Sequence, residues 1–364
     1  MRFLGYVSCC LAFFLFQALA TATADDVHED FSPAELRLLW QPFAPGLKAV
    51  AKPFDIPPNP EAVYGGTFGL DVSHHNTDRS LRLCGCRDER RDCYERMPSC
   101  SCEIDWKSVR HQGMRFVFLK ATQGASWTDW AFLENWKKLS SLPDNSKIFY
   151  GAYHFLSSNG SGTKQVENFL RLVGGGEQIR PVLDVEWDSQ YVSRTEYNRC
   201  PSKRRRTVPT RNGTRFICDM WYRRSPAQIV RVIEEWAGEV ENRLKQKPII
   251  YTNKSWWESY VGSAGLQLME NYFVWIARYP LSGKPRWLRN GKPQNRWGMP
   301  PLPKNASYPA GMKYESGHVW QFTEDGRFNR PVRICAGTPR RKSIDVNWYP
   351  AEVTQFEKFM TNTQ

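Results

Sequence analysis

The chain has 364 residues, of which 41% are hydrophobic and 14% aromatic, and its formal net charge is +13. This composition favours a folded chain over an intrinsically disordered one, because so many apolar residues can bury a substantial core. The excess of basic residues favours polyanionic partners, such as nucleic acid or the anionic polymers of a bacterial wall. No nucleic-acid-binding motif is present, so we expect no nucleic-acid partner.

Residues 1–24 have the pattern of a secretory signal peptide: a basic start, an apolar run and small residues before Asp25. The apolar run is short, and no later run approaches the ~20 apolar residues of a membrane span. We therefore predict a secreted, extracellular protein with no membrane contact after signal removal, and we expect a monomer. Loss of Arg2 with the signal would leave a net charge of +12.

Cysteines indicate the same oxidising compartment. Without the signal, an even number of them is left, which is typical of disulfide-bonded proteins. They are Cys84, Cys86, Cys93, Cys100, Cys102, Cys200, Cys218 and Cys335. Five lie within 77–103, so full pairing needs a bridge to one of the other three, and metal binding by the Cys-x-Cys pairs is the alternative. Sequons predict a glycoprotein, at Asn159, Asn212, Asn253 and Asn305.

Residues 25–63 are predicted to be an N-terminal extension, and 351–364 a C-terminal tail. Between them, from 64 to 350, short β-branched or aromatic segments alternate with helical ones. Strands are predicted at 68–73, 116–122, 148–156, 181–186, 248–253, 272–279, 318–323 and 343–348. Helices are predicted at 128–141, 164–173, 226–245 and 255–261, the third beginning at Ser225-Pro226. Insertions are predicted at 77–103, 188–224 and 280–317.

Strand followed by helix, repeated along the chain, predicts an α/β fold of parallel strands joined by crossovers. Eight such strands indicate a closed, TIM-like barrel. Helices become sparse after the sixth strand, so the C-terminal third should be irregular.

Two carboxylates stand in the fourth predicted strand, which reads "PVLDVE". Residues two apart on a strand share a face, so Asp184 and Glu186 point together while Leu183 and Val185 face the helices. Both acids then lie inside the barrel at the carboxyl end of a strand, where the active sites of such barrels are found.

Asp71 on the first strand and Asp345 on the last follow the same parity. First and last strands are neighbours in a closed barrel, so these two acids should lie side by side. Desolvation and like charge raise carboxyl pKa values, so one of the four acids should stay protonated as a general acid for bond cleavage. The alternative is that each acid pairs with a basic residue at a strand end.

These residues resemble glycoside hydrolase family 25, the Chalaropsis-type lysozymes. The resemblance covers most of 65–349 and rests on "GLDVSHHN", "IDWKSVRHQGMRFVFLKAT", "YGAYHF", "PVLDVE", "VWIARY", "VWQFT" and "IDVN". It implies a barrel of five strand-helix units and three further strands. It also implies a muramidase that cleaves the β-1,4 bond between N-acetylmuramic acid and N-acetylglucosamine in bacterial peptidoglycan.

By this resemblance, Glu186 is the general acid/base, Asp184 positions or stabilises the substrate acetamido group, and Asp71 and Asp345 are further active-site acids. No cofactor is expected. The chain departs from the family in two places: Gln123 replaces the usual glutamate of Lys-Ala-Thr-Glu-Gly, and the cysteine-rich insertion follows the first strand.

Tyr153 and Trp275 match family positions near bound sugar, and core packing is the alternative for both. His74, His75 and His154 could indicate a metal site, but neighbouring histidines on a strand point to opposite faces and no metal-binding motif is present, so no metal is predicted.

Two other functions remain open. A chitinase-like glycosidase would need aspartate where this chain has Val182. A catalytically dead sugar-binding or host-interaction barrel is disfavoured by the intact acids.

The basic run "KRRR" at 203–206 is predicted to be an exposed loop, flanked by Cys200 and Cys218. Two interpretations remain for it. A processing protease cuts after the run and a Cys200–Cys218 bridge holds the pieces together, or the uncut, disulfide-pinned loop contacts anionic wall polymer.

Overall fold

A computed structural model describes residues 54–76, 104–174, 179–210, 213–279, 288–289, 292–293, 319–328 and 344–361. The predicted signal peptide, the insertion at 77–103 and most of the insertion at 280–317 lie outside the described residues, as do Cys335 and most of the predicted extension. The described chain forms two compact units: residues 189–218, here the inserted unit, and the remainder, here the barrel unit.

The strands are, in chain order, β1 (Phe54–Ile56), β2 (Thr67–Val72), β3 (Phe116–Gln123), β4 (Trp127–Thr128), β5 (Phe149–Phe155), β6 (Val182–Asp184), β7 (Ser189–Val192), β8 (Arg205–Thr210), β9 (Gly213–Asp219), β10 (Ile249–Asn253), β11 (Phe273–Ala277), β12 (Leu288–Arg289), β13 (Lys292–Pro293), β14 (Val319–Phe328) and β15 (Ile344–Tyr349). The α-helices are α1 (Pro60–Tyr64), α2 (Trp106–His111), α3 (Phe132–Ser140), α4 (Gly162–Val173), α5 (Arg194–Arg199), α6 (Pro226–Leu244), α7 (Lys254–Tyr260), α8 (Leu266–Asn271) and α9 (Val353–Thr361).

Eight strands close into a barrel in the order β2-β3-β5-β6-β10-β11-β14-β15, and β15 pairs back with β2. The predicted α/β barrel is therefore confirmed. Strands β2 to β14 of this series run parallel to one another, but β15 is antiparallel to both of its neighbours. The expectation of parallel strands throughout is wrong for β15, which pairs directly with the strand that precedes it in the chain, as antiparallel neighbours commonly do.

Five helices follow the first five barrel strands: α2, α3, α4, α6 and α7. This count agrees with the five strand-helix units implied by the resemblance. Helix α6 begins where the sequence predicts, since the Ser225 hydroxyl accepts from the Gln228 N–H and the Gln228 side chain accepts from the Ser225 N–H. This reciprocal cap satisfies N–H groups that the first turn would leave unpaired.

Side-chain parity divides the barrel unit into two cores. One parity packs outward against the helices, as Leu183 and Val185 do with Trp236 of α6. The other fills the barrel interior, where Val182 and Trp275 belong to a separate apolar cluster. The predicted direction of the β6 side chains is therefore confirmed, and it places Asp184 on the interior parity.

Two segments contribute to the barrel in ways the sequence did not suggest. β1, within the predicted extension, pairs in parallel with β14. Helix α9, within the predicted tail, packs Phe356 and Met360 into the interior cluster, and the Phe356 ring stacks on Phe116 at 4.5 Å. These apolar side chains therefore close the end of the interior opposite the carboxyl ends of the parallel strands.

The inserted unit is a small three-stranded sheet in the order β7-β9-β8, with α5 between β7 and β8. A disulfide joins Cys200 to Cys218, as both interpretations of this segment expected. The basic run at 203–206 is not a loop: it ends a 3-10 turn and begins β8, whose Arg205 and Arg206 pair with Cys218 and Ile217 of β9. The predicted exposed loop is wrong here because both strands fulfil the backbone hydrogen bonding that a loop would leave to water.

Candidate active site

Four acidic residues lie at one end of the barrel. Asp184 is the last residue of β6, and Glu186 follows two positions later. Asp71 stands near the carboxyl end of β2 and pairs in register with Asp345, the second residue of β15. Because β15 is antiparallel, its beginning meets the carboxyl end of β2. The prediction that Asp71 and Asp345 lie side by side is confirmed.

Asp71 is held by two amide side chains. Its Oδ2 accepts hydrogen bonds from Asn347 Nδ2 at 2.7 Å and from Gln321 Nε2 at 3.0 Å. Burial raises the pKa of Asp71 to about 6, while these two hydrogen bonds favour the charged form and lower it. Asp71 is thus a buried carboxyl group that changes its protonation state near pH 6.

Aromatic residues hold the two amides in place. The hydroxyls of Tyr251 and Tyr279 donate to Gln321 Oε1 at 2.9 and 2.7 Å, and Trp275 Nε1 donates to Asn347 Oδ1 at 2.8 Å. With both amide oxygens accepting, both amide nitrogens are turned toward Asp71. A chain of hydrogen bonds therefore fixes one carboxylate from two sides.

Trp275 is part of this support. Its side chain is 2% exposed, and its ring lies 4.7 Å from that of Phe118 and 4.6 Å from that of Tyr251, between centroids. This packing favours the core alternative for Trp275, because neighbouring rings cover it and leave little surface for a sugar.

Asp184 and Glu186 have strongly perturbed acidity. Burial is the main cause for both: it raises the pKa of Glu186 to about 8 and that of Asp184 well above its usual value. The charge of Glu186 raises the pKa of Asp184 further, and Asp71 raises both. Glu186 is therefore a protonated acid at neutral pH.

Neighbouring contacts fix the backbone of this pair but leave one oxygen without a partner. The Trp221 indole N–H donates to the main-chain carbonyl of Glu186 at 2.7 Å, and the Val185 N–H donates to the Tyr251 carbonyl at 2.9 Å. Asp184 Oδ1 is buried and accepts no hydrogen bond from any described residue. A buried carboxylate oxygen without a donor is costly, and a bound ligand with an N–H group would supply one.

Lys120 on β3 supplies positive charge to the same site. It is 4% exposed, its Nζ donates to Gln123 Oε1 at 2.8 Å, and it lies 4.7 Å from the ring centroid of Phe155. Its charge lowers the pKa values of Asp184 and Glu186, against the larger effect of burial. Gln123 is neutral, so this contact brings no negative charge to the ammonium, whereas a glutamate, the usual residue of the family at this position, would.

Tyr153 on β5 stands among the acids. It is 9% exposed, and burial together with the charges of Asp71 and Asp184 raises its pKa well above the ordinary value. The hydroxyl is therefore a neutral donor at the interior end of the site, in contrast to the covered ring of Trp275.

Two of the histidines singled out in the sequence, His154 and His74, have protein partners, and the side chain of His75 lies outside the described part of the chain. His154 lies between Thr122 and Gln165, 2.7 and 3.3 Å away, and burial lowers its pKa to about 3. His74 Nδ1 lies 2.7 Å from Asp129 Oδ2. Across the ranges that the structure describes, no group of three or more His, Cys, Asp or Glu residues is arranged to hold a metal, and no helix could cross a membrane.

Sequence reasoning missed Tyr251, Tyr279, Gln321 and Asn347. Asn347 was within reach of the parity argument, since it stands two residues after Asp345 on the same strand face. Gln321 lies in the segment "VWQFT", but nothing in the sequence connects it to a tyrosine 70 residues away.

The profile of the family "Glycosyl hydrolases family 25" matches residues 99–330, which is more than half of the chain. The match includes Asp184 and Glu186. Among curated proteins, lysozyme M1 of Streptomyces globisporus is 28% identical over 195 residues, covering 50% of this chain and 55% of that protein. The N,O-diacetylmuramidase of Chalaropsis sp is 26% identical over 181 residues, covering 48% of this chain and 72% of the relative. This chain thus matches only about half the length of lysozyme M1.

Among solved structures, the bacterial lysozyme from Streptomyces coelicolor superposes with a TM-score of 0.52 at 22% sequence identity. The superposition covers 82% of this chain and 99% of that one. At this identity the likeness concerns the fold, and the fold agrees with the barrel described above. The profile match over more than half of the chain shows that it belongs to glycosyl hydrolase family 25.

Proposed function

We propose that the protein is a secreted muramidase that hydrolyses the β-1,4 bond between N-acetylmuramic acid and N-acetylglucosamine in bacterial peptidoglycan. Family membership and the names of the curated relatives support the reaction class and substrate. The observation that carries the proposal is the acidity of Glu186, whose pKa of about 8 keeps it protonated at neutral pH beside Asp184. A glycosidic oxygen leaves readily only when an acid of this kind donates a proton to it.

Glu186 is the proposed general acid. It transfers its proton to the glycosidic oxygen as the bond from that oxygen to the anomeric carbon breaks. Water then adds to the anomeric carbon, and the carboxylate of Glu186 takes back a proton from that water. Glu186 is regenerated in its acid form, and each turnover consumes one water molecule.

Asp184 is proposed to hold the acetamido group of the sugar on the anomeric side of the bond. Its Oδ1 is buried and lacks a donor among the described residues, so the acetamido N–H of a bound sugar would satisfy it. A fixed acetamido group is also placed to shield the positive charge that develops at the anomeric carbon. Asp184 therefore acts on the substrate rather than on the leaving oxygen.

Asp71 is the proposed electrostatic stabiliser. Held by Asn347 and Gln321, it is ionised above pH ~6, the value to which burial raises its pKa. A fixed negative charge at the site favours the cationic character of the transition state. Activity should therefore rise as Asp71 loses its proton and fall as Glu186 does, which gives a bell-shaped pH profile with apparent limbs near 6 and 8.

Digestion of purified bacterial walls tests the proposal. The parent protein should clear a wall suspension and release fragments with N-acetylmuramic acid at the new reducing end, and the purified Glu186→Gln variant is the matched control. Fragments that end in N-acetylglucosamine would indicate a different bond. Cleavage of chitin with no cleavage of peptidoglycan would indicate the chitinase-like alternative.

A further inference from the structure

Positive charge is concentrated in the inserted unit. Residues 189–218 contain eight basic residues and one acidic residue, a net charge of +7 out of +13 for the whole chain. The basic residues are Arg194, Arg199, Lys203, Arg204, Arg205, Arg206, Arg211 and Arg215, and the acid is Glu196. More than half of the net charge thus belongs to 30 residues.

This unit is built to keep its shape. The Cys200–Cys218 disulfide and the pairing of β8 with β9 hold the basic run against a neighbouring strand. Charges fixed on a sheet lose less conformational freedom on binding than charges on a loose loop.

Aromatic rings hold several guanidinium groups in place. Arg205 lies 4.7 Å from the ring centroid of Tyr197, and its Nη1 donates to the Tyr197 carbonyl at 2.8 Å. Arg215 lies 4.9 Å from the ring of Tyr191. The Tyr197 ring also packs against that of Phe216, 4.9 Å between centroids. The rings therefore serve as supports for the arginines.

The arrangement limits the kinds of partner. Single-stranded nucleic acid is bound by stacking its bases on aromatic faces, but these rings already carry arginines or one another. The charge suits a flexible polyanion that needs no ring stacking, such as a chain of phosphodiesters.

We propose that the inserted unit is a docking surface for the phosphodiester polymers attached to the bacterial wall. The choice of the wall as the source of the polymer rests on the proposed muramidase function. The inserted unit begins three residues after Glu186 and ends immediately before Asp219. Asp219 Oδ1 accepts a hydrogen bond from the N–H of Asp188, the residue before the unit. A protein held on the insoluble wall meets its substrate at a raised local concentration.

Binding is tested in a Glu186→Gln background, so that the walls stay intact. Arg194, Arg199 and Lys203 are exposed, so their joint change to glutamine should leave the unit folded. The matched control changes Lys107, Lys137 and Lys164 to glutamine, which removes the same charge from exposed positions on barrel helices. Each protein is titrated onto walls that carry their phosphodiester polymer and onto walls stripped of it with hydrofluoric acid, between 50 and ~300 mM salt.

The inserted-unit triple variant should bind native walls roughly tenfold more weakly than the parent near 150 mM salt, with a shallower dependence on salt concentration. The control triple should lose far less, and stripped walls should remove the difference between the two variants. Equal losses in both triple variants, or a difference that persists on stripped walls, would overturn the proposal. So would displacement from native walls by duplex DNA at lower concentration than by the purified polymer.

Failure of the muramidase assignment has a separate readout. If the Glu186-intact protein releases no muramic acid reducing ends, while the triple variant still loses binding only on polymer-bearing walls, the docking surface stands and the enzymatic proposal falls.

Discussion

The acidic end of the barrel and the inserted unit differ in the burial of their charged groups: the acids of the barrel are buried, and basic residues of the inserted unit are exposed. In the barrel, Asp71 and Asp184 are each 7% exposed, and burial raises the pKa of both. In the inserted unit, Arg194, Arg199 and Lys203 are exposed to solvent. Desolvation raises the pKa values of buried carboxyl groups toward neutrality, whereas exposed cations keep their charge and act over a distance set by salt. The first arrangement suits chemistry on a single bond, and the second suits attachment to a charged polymer.

The largest expected effect comes from removing the proton donor Glu186, which should affect hydrolysis by the barrel and not binding by the inserted unit. Glu186→Gln should lower the rate of wall hydrolysis at least ~100-fold, because the amide is nearly isosteric but cannot donate the proton. Binding of the same variant to native walls should be unchanged. Reducing-end release and sedimentation binding measure the two properties side by side. A variant that hydrolyses walls at the parental rate would show that another group is the acid.

The next change destabilises the inserted unit and leaves the four acids of the barrel unchanged. Replacing Cys200 and Cys218 by serine removes a cross-link of sequence separation 18, which by loop entropy stabilises the unit by ~3 kcal/mol. Limited trypsin cleavage after the basic run should then speed up, by as much as ~100-fold. Hydrolysis of a short, soluble substrate should stay at the parental level.

The intact unit itself should resist processing. Arg205 and Arg206 are paired into a sheet, and a protease needs an extended, unpaired segment. The purified protein should therefore migrate as one band with and without reductant. Two bands under reducing conditions alone would support the alternative of a cut, disulfide-held segment.

A smaller effect is expected from loosening Asp71. Asn347→Ala removes the 2.7 Å hydrogen bond that favours the charged form, so the pKa of Asp71 should rise above ~6. The acidic limb of the kcat/KM profile should move to higher pH, and the rate should fall ~10-fold. Asn135→Ala, which removes a buried bond to Trp106, is the matched control. This control should lower Tm without moving the acidic limb. If the limb does not move in Asn347→Ala, the ionisation of Asp71 does not set it.

The smallest predicted effect concerns Lys120. Gln123→Glu would place a carboxylate beside the ammonium, where the amide oxygen now lies 2.8 Å away. The added negative charge should offset part of the effect by which Lys120 lowers the pKa of Glu186, so the alkaline limb near 8 should move upward by ~0.5 unit. Gln123→Met, which is similar in size and uncharged, should leave the limb in place. A downward shift in Gln123→Glu would contradict the role given to Lys120.

Sequence patterns predicted the barrel and the positions of its acids because they depend on local periodicity. Alternation along β6 places Asp184 inside, and a closed barrel makes Asp71 and Asp345 neighbours. The contacts of Gln321 with Tyr251, Tyr279 and Asp71 depend instead on strands brought together by closure. No sequence period records such contacts.

The structure of the inserted unit also depends on contacts that the sequence pattern did not reveal. Its composition suggested a loop, because arginine, lysine and proline are frequent in exposed segments. Pairing of β8 with β9 and the Cys200–Cys218 bridge give the segment a sheet. The C-terminal helix was missed for a related reason: Phe356 and Met360 are recognisable as core residues only once the open end of the barrel is known.

The central claim is that Glu186 holds a proton at neutral pH, and carboxyl titration tests it most directly. Infrared difference spectra of the parent against Glu186→Gln, recorded from pH 3 to 10, isolate the carboxyl stretch of this one side chain. The account predicts that the protonated band persists through pH 7 and disappears with a midpoint near 8. A midpoint near 4.5, the ordinary pKa of a glutamate, would contradict it.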